Sequence, residues 1–249
     1  MALTRRGRLV VTLCVTFALL AAAVPVALAV LGGGIGPACR LRVGGEAVRL
    51  DRVEAESATR LAAAAERGGT GVVGLAQALT RELPTLAPVD RRTTAARALL
   101  GYDGGALSCR AEKAAGPRQT AEANGLTPRA NALRLAIRGD FGPQSLGGFE
   151  PGGVDSGHVE GSAHYEGRAI DAFFRPVTEE NTRKGWVFAQ WAVAHAETLA
   201  IATVIFDRRI WTADGVHREW RDYHHPDGPT SNPVLLHLDN VNVDVESGV

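Results

Sequence analysis

The stretch "GSAHYEGRAIDAFF", residues 161–174, decides how the second half of the chain is read. His164 and Asp171 stand seven residues apart, with Gly167 between them where a tight turn can fold the chain back. The apolar run "RAIDAFF" that follows is a short strand. A turn that returns an imidazole beside a carboxylate can supply two ligands to a first-row metal, most plausibly zinc. The same spacing also suits a structural histidine beside a strand and a surface aspartate, so spacing alone leaves both readings open. Further on, in "HLDNVNV" (237–243), Val241 and Val243 alternate with Asn240 and Asn242. The two asparagines therefore share one face of a strand, although asparagine is a poor strand former. Were both histidines, His237 would begin an H-x-x-H-x-H cluster with metal-ligand spacing.

Outward from these two stretches, "LTPRANALRLAIRGDFG" (126–142) places Thr127 as N-cap and Pro128 at the first helical position. Leu133, Ile137 and Phe141 follow at helical spacing. A glycine-rich loop covers 142–157, a long helix is expected over 179–200, and "IATVIFDRRIW" (201–211) reads as one buried strand. The order predicts an α+β fold, a small and mostly antiparallel sheet packed with helices. In the first half, "CRLRVGGEAVRL" (39–50) is a hairpin signal around Gly44-Gly45. Helices follow at about 51–67, 70–83 and 90–100, broken by Gly68-Gly69, Pro84 and Pro88. The expected organisation is a leading segment (1–36), a small hairpin-plus-helices module (37–109), a linker (110–124) and a second domain (125–249). Trp186, Trp191, Trp211 and Trp220 suit core and edge packing better than a sugar platform, because three of them fall in periodic or strand contexts.

Formal charge balances to zero, which argues against nucleic acid as a partner. Arg5, Arg6 and Arg8 precede an uncharged apolar stretch over 9–31, long enough at about 1.5 Å per residue to cross a hydrocarbon core of about 30 Å. The expectation is a transmembrane helix with the rest of the chain outside the cytoplasm. The alternative is a signal peptide cleaved near Ala29, within Ala27-Leu28-Ala29. Cys14 lies inside the apolar stretch. Cys39 and Cys109 are then the two exported cysteines, expected to form one disulfide.

The motif carries a resemblance. "SAHYEGRAID" matches the S-x-H-x-x-G-x-A-x-D pattern of the Hedgehog/D-Ala-D-Ala-peptidase superfamily of zinc peptidases, in the subgroup found at the C-terminus of exported actinobacterial proteins. The likeness runs over about 125–245 and includes "GLTPRANALR", "GGFEPGG", "GHVEGSAHYEGRAIDAFFRPV", "ATVIFDRRIW" and "WRDY". It implies a zinc held by the motif histidine, the motif aspartate and the second histidine of a C-terminal H-x-H. The first histidine of that pair, and another three residues earlier, act around the bound water and the scissile amide. By position, His164 and Asp171 match metal ligands, Asn242 holds the third ligand's place, and Asn240 and His237 hold the catalytic places. Ser162 and Arg168 are the substrate-binding candidates, Arg168 because a guanidinium can grip a carboxylate with two bonds.

An N-x-N in place of H-x-H has chemical consequences. A hydrolytic zinc takes three protein ligands and a water whose pKa falls to about 7. Asn242 offers only a neutral amide oxygen. Asn240 cannot exchange a proton near neutral pH, which removes general acid–base help typically worth about 10²–10⁴-fold. The expectation is an impaired peptidase-like domain, with zinc weak or absent, that binds or senses peptidoglycan peptides or an extracytoplasmic protein. An active peptidase with a substituted third ligand and a purely structural interaction module are the alternatives. His237 stands near enough for rescue, while His217, His224 and His225 lie on the preceding loop as solvated residues. The first module also looks like the start of a lysozyme-like region, with Arg81 near the place of a catalytic glutamate and Glu82 beside it, but fewer than thirty residues separate Glu82 from Cys109, too few for a lysozyme-like cleft, and it is assigned no activity.

Overall fold

The computed structural model describes residues 38–83, 86 and 89–248. It begins with a hairpin, β1 (Cys39–Val43) and β2 (Glu46–Leu50), turning at Gly44 and Gly45, whose φ values of 58° and 88° favour glycine. Asp51 then closes a capping box. Its side chain accepts from Glu54 N and the Glu54 side chain accepts from Asp51 N, each at 2.8 Å. This starts α1 (Arg52–Gly68), followed by α2 (Gly71–Glu82) and α3 (Val89–Leu99). The chain returns as β3 (Leu107–Cys109), giving a three-stranded antiparallel sheet in the order β2-β1-β3. Cys39 and Cys109 face each other in its register and form a disulfide.

The second sheet has six strands. After α4 (Pro128–Phe141), capped by Thr127, come β4 (Leu146–Gly147) and β5 (Ala169–Phe173). Then α5 (Glu179–Ala194) leads into β6 (Ile201–Phe206), β7 (Arg209–Thr212), β8 (Arg221–Asp222) and β9 (Asn240–Val245). All pairings are antiparallel, in the order β4-β5-β9-β6-β7-β8, so β9 lies at the centre although it comes last in the chain. Ile170, Ala172, Val241, Val243, Val245 and Val204 turn one face of β5, β9 and β6 into the core. The opposite face carries the site.

Residues Pro37–Val249 form one compact unit, and α5 explains how. From Gly185 to Ala194 every residue of this helix is buried. Gln190, wholly buried, accepts from Leu107 N at 2.7 Å and donates to the carbonyls of Ala98 and Leu99 at 3.2 and 3.3 Å. Its amide thus joins α3 and β3 to the second half and leaves no polar group stranded. Trp211 and Trp220 reach across as well, donating to the carbonyls of Cys109 and Leu107. All four tryptophans are buried.

The α+β architecture, with antiparallel sheets and five α-helices among the described residues, stands, but three expectations are corrected. No helix among the described residues is long and apolar enough to cross a membrane. The expected span over 9–31, like the cleavage site near Ala29, lies outside the described residues, so nothing in the fold carries a preceding transmembrane helix or a single-pass location. The helix expected over 179–200 ends at Ala194, and His195 caps it. "IATVIFDRRIW" is a hairpin, not one strand: Asp207 and Arg208 adopt φ of 47° and 58° and reverse the chain. Pro84 and Pro88, expected to break helices, also lie outside the described residues.

Candidate functional site

The motif folds as a single 3₁₀ turn, Ala163–Glu166, leading into β5. The Ser162 hydroxyl accepts from His164 N at 3.4 Å, and Gly167 closes the turn at φ 64°. A Cβ on Gly167 would lie 2.3 Å from the Gly125 carbonyl oxygen, so only glycine permits this approach. The turn brings His164 back over β5, with Nε2 3.8 Å from Asp171 Oδ2. Gly148 presses on the pair from the loop after β4: a Cβ there would stand 2.3 Å from His164 Cε1 and 3.2 Å from Asp171 Oδ2.

Strand β9 pairs with β5 so that Asp171 faces Asn242 and Phe173 faces Asn240. Both asparagines point to the side opposite the core valines, and they complete two hydrogen-bonded lines. Asn240 Nδ2 donates to Asp171 Oδ1 at 2.6 Å and lies 3.2 Å from His237 Nδ1. Asn242 Oδ1 lies 2.9 Å from His164 Nε2, while Asn242 Nδ2 donates to Asp244 Oδ1 at 2.9 Å. His164 Nδ1 donates to the Gly148 carbonyl at 2.7 Å, because a carbonyl only accepts. One further proton must then be shared along the second line. With the amide oxygen toward His164, both ring nitrogens carry protons; with the amide turned, Asp244 must be protonated to donate back.

Burial sets the electrostatics. His164, Asp171, Asn240 and Asn242 are each less than a tenth exposed. Loss of water lifts the Asp171 carboxyl from 3.8 to about 6, against the pull of His164 and the Asn240 hydrogen bond. Burial likewise raises Asp244. It lowers His237 to about 4, with His164 adding to the effect, so His237 is neutral at neutral pH. His158 stacks on His164 at 3.9 Å between ring centres, and its pKa is also lowered, first by burial and then by His164.

These residues form the floor of a cleft of about 920 Å³. Ser162, Arg168 and His237 line it with them, as does His225, whereas His217 pairs with Asp214 at 2.8 Å on an exposed loop. Arg168 is engaged on both sides. Its Nε donates to Glu166 at 2.5 Å and its Nη1 to the Val245 carbonyl at 2.8 Å. Sequence reasoning did not single out His158, Arg175, Asp244 or Gly148 as site residues. Gly148 and His158 sit in loops and Arg175 lies just after β5, where no periodicity marks them, while Asp244, within β9, was legible only as the next residue on the Asn240–Asn242 face.

As a metal centre the donor set is incomplete. His164 Nε2 and Asp171 Oδ2 are the two ligand-type atoms, and the third place offers the Asn242 amide oxygen, already against that same Nε2. Among the described residues no group of three or more His, Cys, Asp or Glu is arranged to hold a metal. A neutral amide is a poor exchange for imidazole or carboxylate in a zinc shell. The residues do not fit a three-ligand hydrolytic zinc.

No curated protein and no solved structure matches the chain. A family described as "VldE, C-terminal domain" matches residues 122–234, from just before α4 through the loop after β8, stopping short of β9. Over that stretch, which includes His164 and Asp171, the chain is similar to the VldE C-terminal domain.

Proposed function

We propose that the cleft is a peptidase-like binding site, related to the Hedgehog/D-Ala-D-Ala-peptidase superfamily, that takes up short wall-type peptides without hydrolysing them. The observation that carries this is the pairing of each ligand-type residue with an amide. Asn240 holds Asp171 at 2.6 Å, and Asn242 lies against His164 at 2.9 Å. The amides satisfy groups that a metal and its water would otherwise engage, and neither can transfer a proton at neutral pH. What remains is an open cleft with a polar floor and an apolar flank, Ile205, Ile210, Val234 and Leu235 among its lining. Such a lining suits a peptide whose backbone is hydrogen-bonded and whose side chains are small and apolar. The motif likeness over 125–245 points to peptidoglycan stem peptides as the ligand class. The disulfide fits a compartment where thiols oxidise.

The test is titration of the full chain with a synthetic stem peptide ending in D-alanine, alongside zinc content and cleavage of the same peptide. Saturable binding without turnover and without stoichiometric zinc is expected. Turnover with one zinc per chain would establish the active-peptidase alternative, with His237 or His225 as the ligand to examine first.

A further inference from the structure

The three-stranded sheet of the first half has one face in the core and one toward solvent. Cys39, Leu41, Val43, Val48 and Leu50 turn inward and are buried, so the alternate residues Arg40, Arg42 and Arg49 turn outward. Ser108 of β3 faces Arg40, and Arg110, two residues on, lies on the same side. Arg40 stands directly across from Arg49. The kind of pairing follows from Arg42, whose N–H points away from β2 and donates to the Ala106 carbonyl at 3.0 Å. Arg42 and Ala47 are therefore a non-hydrogen-bonded pair, and so, two residues along, are Arg40 and Arg49. In such a pair the Cα atoms are about 4.5 Å apart and the side chains at their closest. Two guanidinium groups held there repel.

No carboxylate of the chain answers them. All 27 aspartates and glutamates fall among the described residues, and their ion pairs involve none of Arg40, Arg42, Arg49 or Arg110. Glu219 accepts from the Ser108 hydroxyl at 3.3 Å. Beside it the Arg218 pKa is lowered, first by burial and then by Arg40 and Arg110, so the field here is positive in a chain of zero net charge. The same strand is also an edge. Among the described residues nothing pairs with the outer side of β2. The alternation that brings Arg40 and Arg49 together puts the N–H and C=O groups of Ala47 and Arg49 on that open side. Both residues are exposed, and the short side chain of Ala47 leaves Arg42 behind it a path to the edge.

We propose that β2 is a docking edge for an acidic, extended segment of a partner polypeptide, which adds antiparallel to β2 as a fourth strand and sets its alternate carboxylates on the arginine face. One carboxylate stands beside Arg49, and the next, two residues along, stands opposite Ala47 and in reach of Arg42. Main-chain bonds to Ala47 and Arg49 supply affinity, and the carboxylates, each able to take two bonds from a guanidinium, supply selection. The same charge keeps the edge from pairing with its own copies, whose face is equally positive. None of these residues lines the cleft, so the inference is independent of the function proposed for it.

The probe is a synthetic seven-residue peptide that alternates glutamate with valine, blocked at both ends and labelled, titrated against the full chain by fluorescence anisotropy. It should bind at least about 10-fold tighter than the same peptide with glutamine for glutamate, the range for hydrogen-bonded charges. In the added strand the glutamate N–H groups point at β2 and the valine N–H groups point away. N-methylation of the glutamates should therefore abolish binding, while N-methylation of the valines should leave it. Arg49→Gln and Arg40→Gln should each weaken binding by about 10-fold. Both should melt no lower than the native chain, because a repelling pair has been removed. Equal affinity for the glutamate and glutamine peptides would overturn the charge argument, and equal effects of the two methylations would overturn the strand pairing. Either result sinks the inference, as would a lowered melting point in both variants, which would give the arginines to the packing of the fold. Binding of polyphosphate but not of the peptide would also sink it, by assigning the face to phosphate.

Discussion

Asp171 and His237 titrate in opposition, and separating them tests the electrostatic account of the site. In the folded chain Asp171 ionises at about 6 instead of 3.8, because burial disfavours the charged form. Between those values the folded state holds more protons than the unfolded one, so this group's contribution to stability falls as pH rises from about 4 to about 6. At about 1.4 kcal/mol for each pH unit of displacement, the loss is about 3 kcal/mol. His237 is lowered from 6.5 to about 4, so between those values the unfolded state holds more protons and stability rises with pH, again by about 3 kcal/mol. The two slopes overlap and nearly cancel, which hides both in the native protein. Asp171→Asn, which keeps an oxygen for Asn240 Nδ2, should uncover the rising slope. It should be more stable than the native chain by up to about 3 kcal/mol at pH 7.5 and lose that advantage near pH 4. His237→Gln should do the reverse, with its advantage present near pH 4 and gone above pH 6.5. Urea unfolding at half-unit steps from pH 4 to 8 gives both differences. Gaps that stay constant across that range would refute the burial argument for these two groups.

Asn242→His should create a zinc site measurable by elemental analysis, while peptide cleavage should appear only when Asn240→His is added, because binding a metal and moving a proton are separate tasks. Gly148→Ala should cost about 2 kcal/mol or more in thermal unfolding, since φ is +76° and the new Cβ meets the His164 ring, and should shift the His164 ring resonances; an unperturbed ring would contradict the packing described. Replacing Cys39 and Cys109 with alanine opens a loop of 70 residues and should lower stability by about 4 kcal/mol in the loop-entropy view, read from denaturant midpoints with and without reductant.

The sequence made some of this legible through strong local signals. A glycine between His164 and Asp171 marked the turn, and alternation of valine with asparagine marked which face of β9 met the cleft. Thr127-Pro128 and the spacing of Leu133, Ile137 and Phe141 marked α4 within a residue. What escaped was set by tertiary contact. The turn at Asp207-Arg208 lacks the Asn-Gly or Asp-Gly signature of a two-residue hairpin, so β6 and β7 merged into one apparent strand. Arg175 follows β5 and carries no signal until Asp239 and Phe173 are placed around it. The joining of the two halves by Gln190, Trp211 and Trp220 depends on residues more than eighty positions apart, beyond any local pattern.

The central place of β9 also bears on how the molecule is made. Until residue 245 has been synthesised, β5 and β6 cannot be joined, and each presents an open edge to its surroundings. The pairing of Asp171 with Asn242 closes a loop of about seventy residues, a slow step by topology. The first half, with its local hairpin and three helices, is complete long before. A ribosome-bound chain stalled before β9 would therefore carry an unfinished sheet and no cleft, and would be the species most prone to associate with its own kind.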